Sequence, residues 1–181
     1  ISALFDKKVE YTVEAGRPDV FTDEKLKTAK EYGVNRICVN PQTFNDKTLE
    51  KIGRRHTSVQ TIKAYGMAAE YGFDINLDLI AGLADETPED FEKSLKTAIS
   101  LNPANITVHT LSLKSGAKLK EETKKLNVNG IGEMIAISRE MLTGAGYEPY
   151  YLYRQKYQAG GLENVGWAKH GKACVYNIDT M

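Results

Sequence analysis

Apolar and polar positions along this chain switch repeatedly between a period of two and a period near 3.6, the mark of strands alternating with helices. Val9, Tyr11, Val13 and Ala15 alternate with polar residues before the breaker Gly16-Arg17-Pro18, which predicts a first strand ending at Glu14. Thr22 caps the helix that follows, Asp23 and Glu24 favour the positive end of its dipole, and Gly33 closes it. A short apolar strand over 36–39 leads into a polar turn carrying Asn40 and Gln42, then into one amphipathic helical turn ending at Gly53-Arg54-Arg55-His56. Thr57 with Gln60 forms a capping box for a helix through Ile62, Tyr65 and Ala69 that stops at Gly72.

The alternation continues in the second half. A third strand is expected over 75–80, and Thr87, Pro88 and Asp90 make the clearest helix start in the chain. Phe91, Leu95, Ala98 and Ile99 mark that helix's apolar stripe. A fourth strand is expected over 106–113, a charge-rich solvated segment over 114–125, a helix through Ile131, Met134, Ser138 and Leu142, and a fifth strand over 150–153. From Gly160 onward glycines are frequent and little period remains, which predicts a loop or lid. The division expected is a barrel part over 1–155 and a glycine-rich extension over 156–181.

This order predicts an α/β fold of parallel strands with right-handed crossovers and outer helices. Five strands are too few to close an ordinary eight-stranded barrel, so the expectation is a partial (β/α) barrel belonging to something longer. Its exposed first-strand edge is a candidate surface for association with a second copy.

Composition narrows the function classes. The 181 residues suit one domain, and 24 basic against 24 acidic side chains argue against nucleic acid as a partner. No apolar run spans a bilayer and no signal-peptide order opens the chain, so the expectation is a cytoplasmic protein without a membrane partner. The two cysteines, Cys38 and Cys174, lie far apart and outside any ligand spacing. No metal site is expected from this chain, with Cys38 read as a core thiol and Cys174 as a loop thiol.

Candidate chemistry gathers near the carboxyl ends of the predicted strands, where parallel α/β folds bind ligands. Glu14, Gln42, Asp78, His109 with Ser112, and Arg154 with Lys156 supply one polar set per strand. Asp78 is the most informative, because an ionised carboxylate within an apolar strand is costly unless something pairs with it. A ligand hydroxyl or amine could do so, and so could neighbouring backbone or an arginine. Arg54 could pair with a ligand carboxylate, or with Glu50 or Asp46 at the surface. These residues support a ligand site without identifying a reaction.

Several motifs resemble a known family. Tyr11-Thr12-Val13-Glu14-Ala15-Gly16-Arg17-Pro18, Gln42-Thr43-Phe44-Asn45, Gly53-Arg54-Arg55-His56, Asn76-Leu77-Asp78-Leu79-Ile80-Ala81-Gly82-Leu83 and Thr87-Pro88-Glu89 look like the radical S-adenosylmethionine (SAM) enzymes of the oxygen-independent coproporphyrinogen III oxidase group. Val108-His109-Thr110-Leu111 and Glu163-Asn164-Val165-Gly166 are most similar to the branch called coproporphyrinogen dehydrogenase. The resemblance covers nearly the whole chain, and its most specific feature is the ordered combination of these motifs.

The resemblance implies a partial radical SAM barrel with SAM held across its strand ends. Glu14, Gln42, Arg54 and Asp78 match SAM-binding positions, and Ser112 falls at a further one. It also implies a [4Fe–4S] cluster, a 5′-deoxyadenosyl radical, and oxidative decarboxylation of coproporphyrinogen propionates in haem synthesis. The family's three CxxxCxxC cysteines are absent here and would precede Ile1, so this chain alone is expected to be inactive and to bind SAM weakly. Arg154 and Lys156 are candidate partners for the carboxylates of a tetrapyrrole substrate. Close relatives include haem chaperones, which keep the fold but deliver haem. An unrelated α/β domain binding a phosphorylated metabolite is a further alternative, although no glycine-rich phosphate loop stands at a helix start. One departure from the family is Leu83-Ala84-Asp85, where relatives commonly carry Leu-Pro-Gly.

Overall fold

In a computed structural model, residues 10–112, 128–154 and 161–179 are described. They form one six-stranded sheet in the order β1-β2-β3-β4-β6-β5. Strands β1 (Thr12–Gly16), β2 (Arg36–Gln42), β3 (Asp74–Ala81) and β4 (Asn105–Thr110) run parallel and are joined through helices α1 (Asp23–Glu31), α2 (Asp46–Lys51), α3 (Ser58–Glu70) and α4 (Pro88–Ser100). Helix α5 (Val128–Gly144) precedes β5 (Glu148–Tyr153), and β6 (Asn164–Ala168) precedes α6 (Val175–Asp179).

The local signals give the helices they should. The Thr22 side chain accepts from Lys25 N, and reciprocal capping boxes form at Thr57 with Gln60 and at Thr87 with Asp90. Each such cap satisfies backbone donors that the first helical turn leaves open, and its loss costs about 1 kcal/mol.

Three expectations are corrected. The sheet is not wholly parallel, because β6 runs antiparallel between β4 and β5. The glycine-rich stretch after Gly160 is therefore not a loop or lid: it supplies a strand inside the sheet and a short helix. Gly166 hides this strand from pattern reading, since an interior glycine weakens strand propensity unless something packs in the space it leaves. The first strand also begins and ends later than expected, at Thr12 and Gly16. The charge-rich segment 114–125, Lys156 and the 155/156 boundary lie outside the described residues.

Side-chain alternation divides the sheet into two faces. Ile37, Val39, Ile75, Leu77, Leu79, Ala81, Ile106, Val108 and Trp167 join the helices in one apolar core with Leu26, Phe91, Leu95, Met134 and Leu142. Burying each of the larger of these side chains is worth about 1.5–3 kcal/mol. The residues between them are polar: Thr12 and Glu14, Arg36 and Cys38, Asn76 and Asp78, Asn105, Thr107 and His109. Cys38 is a buried free thiol, as its core reading expects, and alternation turns its side chain to this polar face.

Arg36 closes the amino-terminal end of the polar face. Its guanidinium donates to Glu10 Oε2 at 2.8 Å, to Asn76 Oδ1 at 2.8 Å, to Asn105 Oδ1, and to the carbonyl oxygens of Lys172 and Ala173 at 3.0 and 3.3 Å. One cation thereby ties three parallel strands and the segment leading into α6 into a floor. The opposite rim carries the candidate site.

Candidate functional site

Strand register brings Glu14 and Asp78 to one face with Cys38 between them. The Cys38 thiol donates to Glu14 Oε1 at 2.9 Å, and Cys38 pairs across the sheet with Asn76, one alternation below Asp78. Burial, followed by the charges of Glu14 and Asp78, pushes the Cys38 thiol far up, so it stays protonated. Asp78 sits between the core residues Leu77 and Leu79, and its side chain keeps 20% of its surface exposed. His109 Nε2 lies 3.8 Å from Asp78 Oδ2, and no arginine pairs with this carboxylate among the described residues. Asp78 thus faces away from the helical layer.

Gln42 ends β2 beside Leu79, the residue after Asp78. Ser112 follows β4 in an isolated bridge, just beyond the point where Leu111 N donates to Ala81 O at the end of β3. Arg54 lies in the loop after α2. Its amide caps α2 by donating to Leu49 O, and His56, two residues on, has Nε2 3.4 Å from the carbonyl of Pro41 beside Gln42. Neither Glu50 nor Asp46 forms an ion pair with Arg54 among the described residues; Asp46 accepts instead from Ser58 N at 2.7 Å. The ends of four strands carry these candidates, and the loop of Arg54 is tied to the end of β2 through His56 and Pro41. Arg154 pairs with Glu163 at 3.0 Å with both side chains exposed, and the Glu163 carbonyl accepts from Thr110 Oγ1 at 3.3 Å at the end of β4.

Two further groups on this face are not among the candidate ligand residues. Asn40 Oδ1 is buried without a hydrogen-bond partner among the described residues. Tyr151, from the far edge strand, reaches Thr107 with its hydroxyl 3.5 Å from Thr107 Oγ1, and burial pushes its phenol up to about 12. The alternation that predicted Asp78 could have found Asn40. Nothing local could have found Tyr151, because β6 had first to insert between β4 and β5.

Chemically, the candidate residues comprise two carboxylates, a primary amide, a hydroxyl, an imidazole and a guanidinium. Such a set can hold a ligand that carries hydroxyl or ammonium donors at one end and a carboxylate at the other.

Comparison with known proteins agrees with this architecture. The Radical SAM superfamily matches residues 2–98, more than half of the chain. The chain is 43% identical over 176 residues to the oxygen-independent coproporphyrinogen-III oxidase-like protein HemZ of Bacillus subtilis, covering 95% of this chain and 35% of that protein. It is 45% identical over 173 residues to the heme chaperone HemW of the same organism, covering 93% and 43%. The solved structure of coproporphyrinogen III oxidase HemN from Escherichia coli shares the fold with a TM-score of 0.72 at 22% identity, over 92% of this chain and 37% of that one. The chain spans less than half the length of each of these relatives. Sequence and fold together make this chain a member of the radical SAM superfamily.

Proposed function

We propose that this chain is the SAM-holding part of a protein that oxidatively decarboxylates the propionates of coproporphyrinogen III to vinyl groups. The observation that carries the reading is the rim itself, with Glu14 and Asp78 flanking Cys38 beneath Asn40, whose buried Oδ1 has no partner among the described residues. A donor-rich ligand answers these acceptors.

In this reading Asp78 and Glu14 accept from the ribose hydroxyls and the ammonium of SAM, and Gln42 and Ser112 add neutral hydrogen bonds. Arg54 takes the methionine carboxylate through charge-assisted contacts worth about 1.5–3 kcal/mol. None of these residues acts as an ordinary acid or base. Bound SAM supplies the hydrogen-abstracting chemistry, and the protein supplies placement and exclusion of competing reactions. The described residues do not fit an iron–sulfur cluster. No group of three or more His, Cys, Asp or Glu gathers among them, and both thiols donate to carboxylates, Cys38 to Glu14 and Cys174 to Glu10. No step through a cluster is therefore assigned to these side chains.

The test is made on the full reading frame, reconstituted anaerobically with iron and sulfide and supplied with SAM, coproporphyrinogen III, a one-electron reductant to cleave SAM and an electron acceptor to take the last substrate electron. Release of carbon dioxide with a divinyl product is expected, and Asp78→Asn or Arg54→Ala should weaken SAM binding about tenfold or more. A second reading, a haem chaperone, is favoured by the 45% identity to HemW. Stoichiometric retained haem without decarboxylation would decide for it. The isolated chain is expected to bind SAM weakly and to show no iron–sulfur absorption.

A further inference from the structure

Gln42 is the candidate ligand-holding residue whose backbone is strained. Its φ of 69° lies in the left-handed region, where a side chain is crowded by its own carbonyl, and it is buried with only 8% of its surface exposed. A non-glycine residue keeps such a conformation only where its surroundings over-determine it. Here the neighbours on both sides are held. The Pro41 carbonyl before it lies 3.4 Å from Nε2 of His56, a ring only 2% exposed. Thr43 after it is 1% exposed; its hydroxyl donates to Glu86 Oε1 and lies 3.1 Å from Ser94 Oγ. Ser94 Oγ also accepts from Phe44 N at 3.0 Å, and Thr43 Oγ1 accepts from Asn45 N at 3.1 Å. The other oxygen of Glu86, Oε2, is buried without a hydrogen-bond partner among the described residues.

These contacts lie behind the rim, on α4 and its approach, rather than on the polar face. They cross from the β2–α2 turn to an element more than forty residues later in the chain. We propose that Thr43, Glu86 and Ser94 form a clamp that holds Gln42 in its left-handed turn, making them positioning residues for the ligand at the rim. The ligand part rests on the SAM reading above; the clamp part rests on the backbone geometry alone. Loss of the Thr43 hydroxyl frees the turn to relax toward negative φ, which rotates the Gln42 amide off the hollow. Glycine at position 42 needs no clamp, since it adopts φ near 69° without steric cost.

The full chain, carrying Thr43→Val or Thr43→Ser, is melted with glutamine and with glycine at position 42. Thr43→Val should lower Tm by about 2–4 °C or more with Gln42 in place, and by less than half as much alongside Gln42→Gly. Thr43→Ser should restore the wild-type value. Equal losses in both backgrounds, no loss in either, or failure of Thr43→Val to fold in both would overturn the clamp. Folding of Thr43→Val only alongside Gln42→Gly would support it. In the full reading frame, Thr43→Val should raise the Kd for SAM about tenfold while Thr43→Ser leaves it within about twofold. A wild-type protein that binds no SAM would remove the ligand reading, and the melting comparison would still decide the clamp.

Discussion

Tyr151 packs so closely against Gly166 that a β-carbon on the glycine would come 1.8 Å from Tyr151 Cε1. The two residues pair across β5 and β6, and the ring crosses β6 to reach Thr107 on β4. Gly166→Ala must push the ring out, an overpacking cost of about 1–3 kcal/mol. Urea unfolding of Gly166→Ala should show that loss, and the same change alongside Tyr151→Ala should cost less than half as much.

Arg36 is the buried centre of the floor, and removing one partner of a buried ion pair leaves an uncompensated charge. Arg36→Met should destabilise the protein by about 3–5 kcal/mol in chemical denaturation. Burial by itself would raise the Glu10 carboxyl, but Arg36 and hydrogen bonds from Tyr176 and Cys174 outweigh it and hold Glu10 below its ordinary 4.5. A carboxylate lowered in the folded state binds fewer protons there than in the unfolded chain, so its contribution is present above pH 4.5 and lost as pH falls through the folded value. Below pH 5 the wild type should lose stability more steeply than Arg36→Met.

His56 gives stability the same direction of pH dependence. Burial lowers its imidazole below the ordinary 6.5, opposed by the hydrogen bond to Pro41 and reinforced by Arg54. The unfolded chain therefore takes up a proton first, and stability present above pH 6.5 is lost as pH falls. Melting between pH 8 and pH 5 should show a decline in the wild type that is shallower in His56→Gln.

Both cysteines are buried, and burial is the first cause that pushes each thiol above its ordinary range. The thiolate is the nucleophile, so alkylation should be slow. In the native protein iodoacetamide should label neither cysteine over hours at pH 7.5, and denaturant should make both reactive within minutes. Rapid native labelling of Cys38 would show that the Glu14 face opens to solvent.

Much of this fold is readable one segment at a time. Thr22, the Thr57 and Gln60 box, and Thr87 with Pro88 and Asp90 start helices through bonds spanning only a few residues, so position in the chain suffices to see them. Asp78 stands out for a similar reason, as a carboxylate between Leu77 and Leu79 in a run whose period is two. Strand β6 does not: Asn164-Val165-Gly166-Trp167-Ala168 reads as a loop until Tyr151 fills the space over its glycine.

By itself, then, the sequence determined the alternation of helix and strand, the helix caps and the polar residues presented at successive strand ends, since all of these follow from side chains acting on backbone within one or two turns. Only the tertiary structure decided that β6 enters between β4 and β5, that Cys38 faces Glu14 rather than the apolar core, and that Glu86 and Ser94 reach across to Thr43 beside Gln42. Those are contacts between segments tens of residues apart. Their partners are selected by the register and packing of the assembled sheet, which no local pattern encodes.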